Sequence, residues 1–204
     1  MRRRTISLLF LATAALVLPG CLTSQNPFYT RDDVFQDDRI LGDYQDPKAE
    51  DGFFIRKDGE QNDRYILRYY EGAMQRRWVE VTATLFRAGT NAYMDLFPRN
   101  DFSVESAGGV PPSGIDILRN VTHLPLHAVV RAAISGDGLA LSLPNNRAFV
   151  ELIRRHPTYT NYLRDQSVLV LPQSSVELRK LLEIEGETLF PKPTDFKKPK
   201  PLEH

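Results

Sequence analysis

Apolar and polar residues alternate with a period of two through most of the chain after residue 40. Such alternation, in short runs bounded by Gly, Pro, Asp and Asn, is typical of strands joined by turns. The pattern predicts strands over residues 41–45, 52–57, 64–71, 77–89, 92–98, 124–135, 139–143 and 167–171.

The run over residues 77–89 shows the alternation most clearly. One face carries Val79, Val81, Ala83 and Leu85, and the opposite face carries Trp78, Glu80, Thr82, Thr84 and Phe86. The turn Gly89-Thr90-Asn91 leads into residues 92–98, and Gly136-Asp137-Gly138 separates two later runs. Both turn sequences are typical of hairpins.

Two segments near the C-terminus show helical spacing instead. Asn145 or Asn146 is expected to cap a helix over Arg147–His156, which Pro157 ends. Ser174 and Glu177 form a capping box for a second helix, which we expect to end near Gly186. The apolar residues of the second helix recur at helical spacing: Val176, Leu178, Leu181, Leu182 and Ile184.

These elements predict an α+β protein that is mostly β. We expect an antiparallel sheet that curls, or closes into a partial barrel, and packs with the two C-terminal helices, since a single sheet layer must bury one face. The single globular domain is expected to cover residues 40–186. Residues 99–120, rich in Gly and Pro, are predicted to form a long exposed loop. Residues 187–204, rich in Pro and Lys, are predicted to be a disordered tail, and 202–204 resemble the start of a vector-encoded tag.

The first twenty residues have the layout of a secretory signal. Three arginines at positions 2–4 precede an apolar run over residues 6–18, which at about 20 Å is too short to cross a bilayer. The sequence Leu18-Pro19-Gly20-Cys21 resembles the lipobox of bacterial lipoproteins, with Pro19 a less usual residue at its place. The alternatives are an ordinary cleaved signal with a chance cysteine, or a buried N-terminal helix.

The lipobox resemblance implies that residues 1–20 are removed and that Cys21 carries a diacylglyceryl thioether and an acylated amino group, palmitate among the chains. Two or more acyl chains anchor a protein stably. Residues 21–39 would then be a lipidated tether. Leu22, rather than Asp, follows the cysteine, which favours the periplasmic leaflet of the outer membrane if the cell is Gram-negative. The segment from Asn26 to Tyr44 also resembles the start of a group of bacterial lipoproteins with no assigned activity.

Composition narrows the class of partner. Removing residues 1–20, with their three arginines, from the 204-residue chain leaves 184 residues with 23 basic and 26 acidic side chains. This near balance, without a basic run, argues against nucleic acid as a partner. Cys21 is the single cysteine, so the domain has no disulfide and relies on packing.

Candidate chemistry is sparse, and the sequence predicts no catalytic residue, cofactor or metal site. Asp32, Asp33, Asp37 and Asp38 lack the glycine and glutamate of a calcium loop. Pro125 lies between His123 and His127, and the residues around them favour a strand, where residues four apart are separated by about 13 Å; His156 stands alone. Ser174 and Ser175 fit a helix cap, and no Gly-x-Ser-x-Gly elbow or phosphate loop occurs. Glu80 and Asp95, expected to be neighbours across a hairpin, are the one carboxylate pair for glycoside chemistry.

Two functions follow. The first is a membrane-anchored envelope lipoprotein acting as a non-catalytic interaction module, which binds another envelope protein through the 99–120 loop or a sheet edge. The alternative is a carrier of a small hydrophobic ligand, because residues 41–45 resemble the Gly-x-Trp opening of lipocalin-like barrels, with Tyr44 in place of Trp. The helix–strand–helix ending departs from that family's pattern. In a carrier, an aromatic set would line a cup; otherwise the same residues form the core: Tyr65, Tyr69, Tyr70, Trp78, Phe86, Tyr93 and Phe97.

Overall fold

Strands dominate the structure, a computed structural model, as the alternating pattern predicts. It describes residues 22–45, 52–71, 77–104, 125–136, 138–159, 161–163, 168–191 and 193–198. The predicted class, α+β and mostly β with a curled sheet and two helices near the C-terminus, is confirmed.

Eleven strands and two α-helices lie in the described part of the chain. The strands are β1 (Thr23–Ser24), β2 (Gly42–Gln45), β3 (Gly52–Lys57), β4 (Tyr65–Glu71), β5 (Arg77–Ala88), β6 (Asn91–Val104), β7 (His127–Ile134), β8 (Gly138–Ser142), β9 (Asn161–Leu163), β10 (Val168–Leu171) and β11 (Pro193–Lys197). The helices are α1 (Asn146–Arg155) and α2 (Ser175–Leu189), with 3-10 turns at Arg31–Asp33, Asp38–Ile40 and Pro157–Tyr159.

The sheet curls until its strands follow one another around a ring. Its order is β6-β5-β4-β3-β2-β11-β8-β7-β1-β10-β9, and β6 also pairs with β7. The weakest junction is between β11 and β2, where the single pair Lys197–Gln45 joins the strands. Strand β1 continues the sheet away from the ring, antiparallel to β7 on one side and parallel to β10 on the other.

Alternation gives the ring a filled interior. Of the two predicted faces of β5, the one that carries Val81, Ala83 and Leu85 points inward, and these three side chains are almost fully buried. Aromatic rings complete this inner core, with Tyr44 stacked on Phe53 at 5.0 Å between ring centroids. These side chains occupy the space that a cup-shaped carrier would leave open.

The outward faces of β5, β6 and β7 form a second core with the two helices. Phe86 and Tyr93 pack at 5.6 Å between centroids, and Phe190 at the end of α2 packs on Tyr93. Leu178 and Leu182 of α2 complete the contact. Burial on both faces explains why β5 carries large apolar residues on each side.

The structure corrects the end of the second hairpin strand. β6 continues to Val104, past Pro98, so the predicted loop begins later than residue 99. Proline lacks the N–H that a regular ladder needs, and here the register shifts between Val79 and Val81, where Pro98 pairs. A bulge is one of the few places where a paired strand tolerates proline. Residues 105–120 of the predicted loop lie outside the described residues.

Helix α2 continues three residues past Gly186, where the sequence predicts its end. Gly186 is buried within the helix. Only glycine fits at this position, because the Tyr93 hydroxyl occupies the space that a Cβ would need. The glycine therefore serves close packing, not a C-cap. Val176 and Ile184 share the helical spacing of the buried leucines, but they are 64% and 69% exposed.

The two predicted chain ends, a tether and a disordered tail, instead contribute to the sheet. Leu22 and Phe28 are fully buried, so the segment after Cys21 is part of the domain and not a tether. In the tail, β11 makes five pairs with β8, and Phe196 packs edge-on against Phe53 at 4.7 Å. Both segments are mostly polar, but Leu22 and Phe28 in the first and Phe196 in the second pack into the core and hold the segments against the sheet. Within the described residues, neither helix is long and apolar enough to span a membrane.

We expect Gly186→Ala to destabilise the protein even though alanine favours helices. The added methyl group meets the Tyr93 hydroxyl, and overpacking of this kind costs about 1–3 kcal/mol. Urea unfolding of Gly186→Ala, Tyr93→Phe and the double variant tests this. The cost of Gly186→Ala should shrink in the Tyr93→Phe background, and an equal cost in both backgrounds would contradict the close contact.

Truncation after Phe190 should lower the free energy of unfolding by at least about 3 kcal/mol. It removes Phe196 from the inner core, and it leaves the edge of β8 that faces β11 without a partner strand. The matched control ends at Lys198 and retains β11. Urea titrations of both forms give the comparison. Equal midpoints would show that the tail is dispensable, as the sequence predicts.

Candidate functional site

A groove runs between α1, the 3-10 turn after it and α2. Its cavity volume is about 480 Å³, within the range of small-ligand sites. Its apolar surface comes from Leu152 of α1 and from Leu178 and Leu181 of α2, which are buried, with Ile184 exposed. An exposed aliphatic side chain beside buried leucines is an apolar surface that a partner can cover.

Polar groups mark one end of the groove. His156 stacks on Tyr159, with ring centroids 4.7 Å apart. Gln173 donates from Nε2 to the Thr158 carbonyl at 3.4 Å, and no donor among the described residues reaches its buried Oε1. The backbone carbonyl of Gln173 accepts from Asn26 Nδ2 at 2.8 Å, which ties this end of the groove to the N-terminal segment.

Three charged side chains line the same groove, and two of them are engaged. Glu185 binds Arg155 of α1 through both carboxylate oxygens, at 3.1 and 3.2 Å. Hydrogen bonds from the Ser174 hydroxyl and backbone N–H lower the pKa of Glu177, which confirms the predicted capping box. Lys180, the third, is exposed on α2. The groove is therefore apolar at its base and charged at its edge.

Sequence patterns do not reveal this groove. Ile184 has the spacing of a core residue, and the periodicity of one helix cannot show that two helices leave a gap between them. The part of the groove that the sequence does indicate is the end of α1 at His156-Pro157, where the 3-10 turn begins.

The second polar cluster is buried under the N-terminal segment. Asp95 of β6, 2% exposed, accepts from the Phe28 N–H at 3.0 Å and contacts His127 Nδ1 at 2.7 Å. Phe97 packs on the His127 ring at 4.6 Å. The carboxylate thus joins β6, β7 and the chain that follows Cys21.

Ser24, His127 and Asp95 are the residue types of a hydrolase triad, but their hydrogen bonds hold the fold together. Ser24 pairs with His127 across β1 and β7, yet its hydroxyl donates to the Asn26 carbonyl. Ser24 is fully buried, so a substrate has no access to that oxygen. The Asp95–His127 pair therefore holds the N-terminal segment against the sheet through the Phe28 N–H.

Replacing Asp95 with Ala should lower the free energy of unfolding by about 3 kcal/mol, since it leaves buried partners without their acceptor. Asp195→Ala on β11, where the side chain is exposed, is the matched control and should change stability little. Urea titration of both variants measures the difference. A loss no larger than that of the control would contradict the role of Asp95 in holding the N-terminal segment.

The other predicted candidates are separated or engaged. Glu80 binds Arg68 at 2.7 Å, whereas Asp95 pairs with Thr84, four residues along β5, so the backbones of the two acidic residues are separated by about 13 Å along the sheet. That separation is too large for either glycosidase arrangement. His123 and Cys21 lie outside the described residues.

The N-terminal aspartates also have structural partners. Asp33 caps the turn at Thr30 and binds Arg179 of α2 at 2.5 Å; burial opposes ionisation, but these bonds lower its pKa. Asp37 binds Arg39 at 2.6 Å, and Asp38 binds Lys57 at 2.9 Å. Among the described residues, no three acidic, His or Cys side chains form a group that could hold a metal ion.

The aromatic set does not line one cavity. Tyr65 and Tyr69 belong to the inner core, while Tyr70, Trp78, Phe86, Tyr93 and Phe97 alternate onto the outer face of their strands. Burial raises the pKa of Tyr70 to about 12, and its hydroxyl donates to Asp43 at 2.9 Å. Burial likewise raises the pKa of Tyr44 to about 12. Both phenols are therefore neutral structural donors near pH 7.

No protein-family model, curated protein or solved structure matches this chain. The geometry of the groove and the signal at the N-terminus are therefore the basis of the proposal that follows.

Proposed function

We propose that this protein is a lipid-anchored interaction module of the cell envelope, which binds a partner protein through the α1–α2 groove. The anchor is the lipid on Cys21, and the role is non-catalytic. The observation that carries the proposal is the exposed Ile184 beside the buried leucines of the groove.

The sequence before Leu22 supports the anchor. Its basic start, short apolar run and Leu18-Pro19-Gly20-Cys21 sequence agree with a lipoprotein signal. In a Gram-negative cell, the absence of Asp at position 22 favours the outer membrane.

The groove supports binding to a protein. A partner segment that covers Ile184 removes exposed apolar surface from water, which contributes about 25 cal/mol per Å². The Arg155–Glu185 pair and Lys180 give the polar rim that surrounds the apolar centre of many interfaces. The groove, rather than the 99–120 loop or a sheet edge, is the proposed binding surface because it places the exposed Ile184 beside buried leucines.

The structural use of the candidate catalytic groups supports a non-catalytic role. Asp95, Glu80 and Ser24 are buried and bonded within the fold. The alternative, a carrier of a small hydrophobic ligand, draws support from the groove volume of about 480 Å³ and not from the ring, whose interior is packed.

Photo-cross-linking in the native host tests the proposal. A photoreactive residue in place of Ile184 should give one discrete protein adduct, because that side chain lies at the groove. The matched control is the same residue in place of Val176, which is 64% exposed on α2 but lies outside the groove. Mass spectrometry of the adducts identifies what has been captured.

The outcomes separate the two functions. A protein adduct from position 184 that is absent from position 176 supports the interaction module, and Ile184→Arg should then abolish co-purification of that protein while Val176→Arg retains it. A small lipid-like adduct at position 184 favours the carrier. Identical adducts at both positions, or none, would contradict a binding role for the groove.

A further inference from the structure

The N-terminal segment shows how the proposed anchor connects to the domain. Leu22 is fully buried, and its carbonyl accepts from the Val129 N–H of β7 at 3.3 Å. Thr23 and Ser24 then pair with both β7 and β10. Cys21, which lies outside the described residues, directly precedes Leu22 in the sequence. The lipid is therefore attached to the domain with no intervening linker.

The pairing also shows which end of the domain lies nearest the lipid. β8 lies along the same edge of β7 as β1, and its last residue, Ser142, pairs with Arg131, two residues beyond Val129. Strand spacing places the backbones of Leu22 and Ser142 about 7 Å apart along that edge. The end of α2 meets the same place, because the Asn145 N–H donates to the Leu189 carbonyl at 2.7 Å.

The side chains at this end have the chemistry of a bilayer surface contact. Leu143 is 67% exposed, Pro191 and Pro193 are exposed, and the Arg147 side chain is 90% exposed. Pro193 pairs with Ser142, so the proline-containing segment lies beside Leu143. An exposed leucine fits the interface of a membrane. Arg147, in the first turn of the helix that follows Leu143, has its Nε 3.2 Å from Glu151, and its exposed guanidinium is attracted to lipid phosphates.

We propose that this anchor face, formed by Leu143, Pro191, Pro193 and Arg147, lies directly against the lipid bilayer. The inference rests on the proposed lipidation of Cys21. α2 runs away from this face for about 22 Å, and Gln173 lies beside Asn26 at the far end of β1. One end of the groove therefore points away from the membrane, where a partner protein has access.

Fluorescence quenching on vesicles tests the orientation. The lipidated full chain is reconstituted in vesicles of phosphatidylethanolamine and phosphatidylglycerol that carry nitroxide headgroups. Because Cys21 is the single cysteine and its thiol is in the thioether, Leu143→Cys supplies one free thiol for a fluorophore. The matched control is Val176→Cys, which has similar exposure and lies about 20 Å along α2 from Leu189.

The label at position 143 should be quenched several-fold more strongly than the label at position 176. Equal quenching in protein that floats with the vesicles would overturn the inference while the anchor proposal stands. Protein that does not float would overturn the anchor proposal and the inference with it.

A linker variant tests the cause of the orientation. Ten Gly and Ser residues inserted between Cys21 and Leu22 allow a root-mean-square separation of about 17 Å. The quenching at position 143 should fall several-fold while flotation persists. Unchanged quenching would overturn the claim that the absence of a linker holds this face on the bilayer.

Discussion

Burial of both faces of β5, β6 and β7 is the constraint on which the rest of the structure depends. Their inward side chains fill the ring, and their outward side chains need a second layer to exclude water. α2 and the N-terminal segment provide that layer over Phe86 and Tyr93. The placement of α2 then positions α1, and the gap between the two helices is the groove.

The N-terminal segment links this packing to the proposed location. Asp95 of the sheet accepts a hydrogen bond from the Phe28 N–H, and Arg179 of α2 forms an ion pair with Asp33 of the following turn. A chain held at so many points cannot act as a flexible spacer. A lipid on Cys21 would therefore determine where the domain sits and which end faces outward.

Sequence patterns predict the strands well and the chain ends poorly. Alternation in β5 identifies both faces correctly because side-chain direction in a strand depends on local geometry alone. Leu22 and Phe196 look like isolated apolar residues in polar segments, and only the assembled sheet shows the gaps that they fill. Glycine is typical of helix ends, so the sequence predicts an end at Gly186. The contact that actually requires glycine there is with Tyr93, which is 93 positions away in the sequence. The groove depends on such long-range placement, so the sequence does not show that Ile184 lies beside buried leucines of both helices.

The most direct test of the account is the intact mass of the protein isolated from its host's membrane in mild detergent. A lipid-anchored interaction module predicts a chain that begins at Cys21 and carries the added mass of the lipid on that residue, with no further small molecule released on denaturation. A chain that retains residues 1–20, or one that carries an unmodified Cys21, would contradict the anchor. A released hydrophobic ligand would contradict the interaction module and favour the carrier.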